Sequence, residues 1–253
     1  MSAAGDGGFD FGRVVTRSFV LIRRNPMIFL TLSFLAVAPE FAARYFMAQI
    51  PYFAGLSVFT LAYWLVALVT DAGMIFLSCL LQASFTYACI MDLNGRPVSL
   101  GESLIVALRA ALPLFIIGVL YWAGFAFGLI LLVFPAFMLM TAWSVSVPVR
   151  IVENTSIAES FSRSARLTYG HRWLIFGLLV VVWLGTIALD YAARPLFGVA
   201  MLGGGTTLSY YIAVGALRVL EYMVTATGTA SVYYELRAAK DGVGSEHLAS
   251  VFE

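Results

Sequence analysis

Seven charged residues sit within or close to the outer ends of tracts otherwise apolar enough to lie in lipid: Glu40, Arg44, Asp71, Asp190, Arg194, Arg218 and Glu221. Charge inside a membrane span is costly and faces a bundle interior or a wet cavity, so this set is the first place to look for chemistry. Arg218 and Glu221 lie three residues apart, on one face of a helix and within reach of each other. Asp71 or Asp190 is a further partner for Arg218, and Glu40 and Arg44 complete a candidate polar site in the outer half of the membrane. Such a site suits a lipid phosphate held against Arg218, or a proton passed through Glu221. The plainer role for the same charges is a neutral ion-paired network that fixes helix register, with Arg218 free to snorkel outward.

Motifs for other chemistry are missing. His171 and His247 stand apart, with no G-x-S-x-G elbow, no H-E-x-x-H pair and no G-x-x-x-x-G-K-[ST] loop around them or elsewhere. Cys79 and Cys89 are ten residues apart in one apolar stretch, about 15 Å along a helix and too far for a bridge. The glycines at 203–205 read as a flexible loop rather than a phosphate cradle. The expectation is a protein that is not an enzyme, with no catalytic residues, cofactor or metal.

The elements that must position these charges follow from composition. Of 253 residues, 61% are hydrophobic and 11% charged, with a mean hydropathy of +0.92, against about 45–50% and 25% in soluble domains. One core cannot hide that much apolar surface, so the excess faces lipid. A net charge of +1 excludes a nucleic-acid binder, which needs a basic surface. The glycine-rich start followed by Arg13 and Arg17 does not read as a cleavable signal peptide.

Six hydrophobic tracts reach the roughly 20 residues that a span requires. The first runs from Met27 to Met47, with Pro39, Glu40 and Arg44 expected to kink its outer end. The second, Tyr52 to Met91, is twice too long; a break at Asp71 and Gly73 would leave Leu56 to Val69 as a short outer element and Asp71 to Met91 as the span. The third and fourth, Pro113 to Phe134 and Pro135 to Val152, share a turn, with a bend expected at Pro148. The fifth is Trp173 to Tyr191 and the sixth Tyr210 to Tyr234. Twelve of the fifteen basic residues then fall on one side, which places both termini in the cytoplasm. The whole chain reads as a single integral membrane domain: residues 1–25 cytoplasmic, 26–234 membrane, 235–253 a cytoplasmic tail.

A repeat organises these tracts. Ser99-Leu-Gly-Glu-Ser103 and Ser156-Ile-Ala-Glu-Ser160 stand 57 residues apart, and Arg109 and Arg166 keep the offset. Each opens with a serine–glutamate capping box before a short amphipathic helix. The expected apolar faces are Leu100, Leu104, Ile105, Leu108 and Leu112 in one and Ile157, Phe161, Ala165 and Thr168 in the other, with Glu159 and Arg163 paired opposite. Asp10 caps a weaker third copy, in which Phe11, Val15, Phe19 and Ile22 form the apolar face. Residues 243–252 hold a faint fourth. The fold class expected is all-α: a six-helix transmembrane bundle of three hairpins, each preceded by an amphipathic interfacial helix. Such helices lie in the membrane plane with basic residues at anionic head groups. Arg13, Arg17, Arg109, Arg163 and Arg166 are the candidate contacts, and membrane lipids and other membrane proteins the candidate partners. Gly124 and Gly128 form a G-x-x-x-G expected to serve packing within the bundle.

At its polar junctions the chain resembles a bacterial family, the glycerophosphoryl diester phosphodiesterase membrane domain and its YciC-like relatives. The resemblance is carried by Asp92-Leu-Asn-Gly-Arg-Pro-Val-Ser-Leu-Gly-Glu-Ser103, Val133-Phe-Pro135, Glu159-Ser160, Arg166-Leu-Thr-Tyr-Gly-His-Arg-Trp173 and Tyr233-Tyr-Glu-Leu-Arg237, and extends from about Asn25 to Lys240. It implies a multi-pass protein of the bacterial inner membrane. The family's phosphodiesterase barrel has no counterpart in this chain, so that activity is not implied. The functional expectation is a lipid-interacting or scaffolding membrane protein; the alternative is a transporter or lipid translocase that works through the outer charges.

Overall fold

A computed structural model describes residues 9–49, 61–131, 133–196 and 208–241. Among them the chain is helical throughout, with no strand. The expected loop at 203–205, the tail beyond Asp241 and His247 lie outside the described residues, as do the side chains of Arg44 and Arg194, while residues 235–241 of the expected tail continue the last helix.

The order is a short amphipathic helix followed by a long apolar one and then, in the first and third units, a second long helix, and in the second unit two short ones. The first unit has α1 (Phe11–Arg24), α2 (Pro26–Gln49) and α3 (Leu61–Leu93). The second has α4 (Leu100–Arg109), α5 (Ala111–Leu131), α6 (Val133–Ala142) and α7 (Ser146–Glu153). The third has α8 (Ile157–Thr168), α9 (Arg172–Leu196) and α10 (Leu208–Asp241). Five segments are long and apolar enough to cross a membrane: Pro26–Ala43, Trp64–Leu93, Ala111–Ile130, Phe134–Glu153 and Arg172–Ala192. At 34 residues α10 is also long enough, but it is rich in serine, threonine and tyrosine. Large apolar side chains such as Phe34, Trp64, Leu68, Phe127, Ile130, Val181, Trp183 and Ile212 point outward, as a lipid-facing surface requires.

Several boundaries differ from expectation, each for a physical reason. The first long helix passes through Pro39 without interruption. In α3 the chain does not break at Asp71 or Gly73 but forms one helix of 33 residues. Its surplus length lies at the other end, where residues 83–91 are all buried, enclosed by protein rather than lipid. Pro148 does not bend its helix, because it sits in the first turn of α7, where a missing N–H leaves no bond broken. The break comes earlier, at Trp143 to Val145. The freed carbonyl of Ala142 there accepts from Ser164 Oγ at 2.8 Å and Thr168 Oγ1 at 3.4 Å.

The middle hairpin departs most from a regular bundle. A spanning pair would put Phe134 and Trp173 on opposite faces, about 30 Å apart. Instead their ring centroids are 6.2 Å apart, and those of Phe137 and Phe176 are 5.3 Å apart. The start of α6 therefore lies beside the start of α9. Close packing holds α6 on α5: a Cβ on Gly128 would lie 2.7 Å from the Ala136 backbone, and one on Gly124 2.4 Å from Trp143. The G-x-x-x-G thus packs within the chain.

Contacts between units follow a cyclic rule. Each first long helix packs between its own unit's later helix and one from the preceding unit: α2 between α3 and α10, α5 between α6 and α3, α9 between α10 and α6. Each short helix docks on the last helix of the preceding unit, α4 on α3, α8 on α7, and α1 on α10. The first unit thereby closes on the third. Beneath the long helices, Val14, Ile90, Val149, Leu167, Ile175, Tyr233 and Leu236 share one core to which all three units contribute.

Candidate functional site

The outer charges assemble only in part. The Glu221 carboxylate accepts from Arg218 Nη1 at 3.0 Å through one oxygen and from Thr186 Oγ1 of α9 through the other. Arg218 is therefore held by Glu221 and not by Asp71, which is exposed on α3. Asp190 is also not drawn to Arg218: its carboxylate accepts from Tyr210 OH at 3.1 Å. Glu40 is half-buried on α2. The arrangement joins α9 to α10 twice, through Thr186–Glu221 and Asp190–Tyr210, and it is closer to a register-fixing network than to an open polar cavity.

An open groove of about 860 Å³ runs between α2 and α10, lined by Phe34, Val37, Phe41, Ile212, Gly215 and Val219 among others. Its walls are almost wholly apolar and carry no acid or base.

The denser polar chemistry lies at the other end, around the short helices. Asp10 caps α1 by accepting from Gly12 N at 2.8 Å. Ser99 and Ser156 cap α4 and α8 by accepting from the backbone N–H of Glu102 and Glu159 at 3.4 and 3.3 Å. The glutamate half of the first box does not turn back; Glu102 accepts from Tyr87 OH at 2.7 Å and so ties α4 to α3.

The three short helices bury the same positions relative to their caps, and most of the apolar faces expected to meet the acyl boundary stay outside that buried set, Thr168 excepted. Val14, Ser18 and Leu21 are buried in α1, Ser103 and Ala107 in α4, and Ser160, Ser164, Leu167 and Thr168 in α8. Phe19, Ile105, Leu108 and Leu112 are instead exposed. Small and hydroxylated residues allow close helix contact, so these helices turn them toward protein and leave bulk apolar groups outside.

Ion pairs redirect several of the candidate head-group arginines inward. Glu235 of α10, only 5% exposed, meets Arg17 at 2.5 Å and Arg13 at 3.6 Å. Arg17 also lies 4.4 Å above the Tyr234 ring, and Ser18 Oγ donates to Ser231 Oγ at 3.1 Å. Arg163 does not pair with Glu159; it bonds Glu153 at 3.0 Å and also Asp241. Burial alone opposes its charge, but the hydrogen bonds to Asp241 and Glu153 outweigh that and hold its pKa above the ordinary value. Glu153 also accepts from Tyr233 OH at 3.0 Å. Arg24 and Asn25 hold Asp92 at 3.2 and 2.6 Å. Arg109 and Arg166, with Arg23, face outward.

Glu153 was not singled out from sequence, and Asp92 and Glu235 entered only within the motifs of the resemblance, with no ion-pair role. The available signal was a few acids among the basic residues at the junctions between apolar tracts, which need partners if the helices carrying them dock.

The fold and these sites define an all-helical chain with five apolar helices able to cross a membrane, as in a multi-pass membrane protein. Among the described residues no cluster of histidine, cysteine, aspartate or glutamate is arranged to hold a metal. No family model, curated protein or solved structure matches the chain.

Proposed function

We propose that the chain is a non-enzymatic protein of the bacterial inner membrane that binds anionic lipid at its cytoplasmic face and serves as a scaffold or accessory subunit there. Both termini are cytoplasmic in this reading, which rests on the asymmetry of basic residues and on the resemblance to the phosphodiesterase membrane-domain family. The observation that carries it is the division of labour among the arginines. Arg13, Arg17 and Arg163 are consumed by acids, whereas Arg23 and Arg109 are exposed on helices that also expose Phe19, Ile105 and Leu108, and Arg166 is exposed on α8. That pairing of outward charge and outward apolar bulk is the chemistry of a membrane interface.

The test is lipid retention. After mild detergent extraction, native mass spectrometry is expected to find phosphatidylglycerol enriched over phosphatidylethanolamine on the wild type. Replacing Arg23, Arg109 and Arg166 together with glutamine is expected to remove most of that enrichment. Equal retention of both lipids by the wild type overturns the reading.

The alternative, a transporter or lipid translocase, draws on Glu221, which carries Arg218 and Thr186 on one carboxylate within the long helices. It predicts that Glu221→Gln abolishes proton-coupled flux in proteoliposomes with folding intact. Saturated pairing of that carboxylate favours the first reading.

A further inference from the structure

We propose that the corner between α8 and α9 is a specific site for one anionic phospholipid, its phosphate on Arg172 and Lys240 and one chain in the pocket between α6 and α9. The inference rests on the lipid-binding reading and deepens it to a single site outside the arginines already assigned.

The first observation is charge. Tyr169 is exposed, and two cations flank its ring, Arg172 at 5.8 Å and Lys240 at 5.9 Å from the centroid. Arg172 uses one nitrogen to donate to the Ala165 carbonyl at 3.3 Å, while its Nε is buried without a hydrogen-bond acceptor. The acid nearest in sequence, Asp241, is taken by Arg163 and Arg237. Arg172 and Lys240 make the corner cationic, and burial first, then Lys240, lower the pKa of the neighbouring His171. A phosphate diester supplies the missing counter-charge, and the start of α9 adds the positive end of a long helix.

The second observation is the pocket. A cavity of about 120 Å³ lies beside the same arginine, lined by Phe134, Phe137, Met138, Thr141, Trp173 and Phe176. Its volume admits a segment of hydrocarbon rather than a folded partner. Trp173 and Tyr169, 70% and 69% exposed, are the amphipathic aromatics that collect at head-group depth. A cationic lip directly on an apolar slot, at that depth, fits an anionic phospholipid better than free phosphate, which has no use for the slot.

The experiment titrates purified full-length protein in detergent with short-chain phosphatidylglycerol, phosphatidylcholine of the same chain length, and inorganic phosphate. Adducts are counted by native mass spectrometry, and Trp173 is read separately by quenching with a brominated-chain phosphatidylglycerol. One phosphatidylglycerol is expected to bind and quench. Lys240→Gln, at an exposed position, and Arg172→Gln are each expected to weaken it about tenfold, the scale of one charge-assisted contact.

Phosphate binding as tightly as phosphatidylglycerol overturns the lipid assignment, and phosphatidylcholine binding equally well overturns the role of charge. Phosphatidylglycerol enrichment that persists unchanged in Lys240→Gln and Arg172→Gln sinks this site but spares the broader reading. No enrichment on the wild type sinks both.

Discussion

Glu235 is where the inner end of the molecule is most exposed to a single change. Its carboxylate is enclosed and serves Arg13 and Arg17 together. Glu235→Gln keeps the shape, takes the counter-charge from Arg17 and leaves Arg13 with Asp10 at 3.7 Å. Removing one partner of a buried pair costs about 3–5 kcal/mol, and the partial exposure of both arginines sets the expectation at the lower end, about 3 kcal/mol. Thermal unfolding in detergent should show a lowered midpoint, and trypsin should cut at Arg13 and Arg17 sooner than in the wild type. His171 gives a pH test. Its ring lies 5.3 Å from that of Phe9, and its folded pKa is depressed by burial and by Lys240. The neutral form is therefore the one the fold prefers. Stability from this group is complete above the unfolded value near 6.5 and is lost as pH falls through the lower folded value. An NMR titration should place the His171 midpoint below that of a free histidine, and Lys240→Gln should move it back upward. Sequence alone found the charge of Arg17 but not its destination, because its acid lies at the far end of the chain and only tertiary docking brings the two together.

At the scale of elements, glycine positions separate packed from open helix faces. A Cβ at Gly118 would sit 2.6 Å from both Cys79 Sγ and Ile75 Cγ2, whereas Gly177 has open space. Gly118→Val should destabilise the α3–α5 contact by about 1–3 kcal/mol through overpacking, and Gly177→Val should change the melting midpoint little. Equal effects would mean that α5 does not sit this close to α3. The caps, the repeat and most helix positions were legible in the sequence, since Ser99, Ser156 and Asp10 act through neighbours three residues away or fewer. The docking faces of α1, α4 and α8 were not. Periodicity locates the most hydrophobic stripe, which in a soluble protein faces the core; here Ile105 and Leu108 face out while Ser103 and Ala107 face in. The length of α3 was misread for a related reason. Apolar residues at 83–91 carry the same hydropathy whether lipid or protein surrounds them.

At the scale of the whole molecule, closure of the three units depends on α1 meeting α10. Ser18 and Ser231 mark the contact, with their hydroxyl oxygens 3.1 Å apart, near enough for a disulfide between cysteines placed there. In a background with Cys79→Ala and Cys89→Ala, the pair Ser18→Cys and Ser231→Cys should oxidise readily and migrate faster on a denaturing gel. The bridge should raise stability by about 2–4 kcal/mol, and either cysteine alone should do neither. The cyclic arrangement was half legible. The 57-residue offset announced repeated units, but which helix each unit meets is set by packing between tracts of near-identical hydropathy.

The docking of α1 on α10 also orders events at the ribosome. When α4 and α8 emerge, the helices they rest on, α3 and α7, have just been made. The platform for α1, α10, is made about 200 residues later, so at about 5–20 residues per second α1 waits roughly 10 to 40 s for it. Through that interval Arg13 and Arg17 have no Glu235, and the nascent segment is a basic amphipathic helix left at the bilayer surface. Its transfer from lipid to protein is then expected to follow the synthesis of α10. Chains stalled before residue 208 should keep α1 open to protease, and chains released after residue 241 should not.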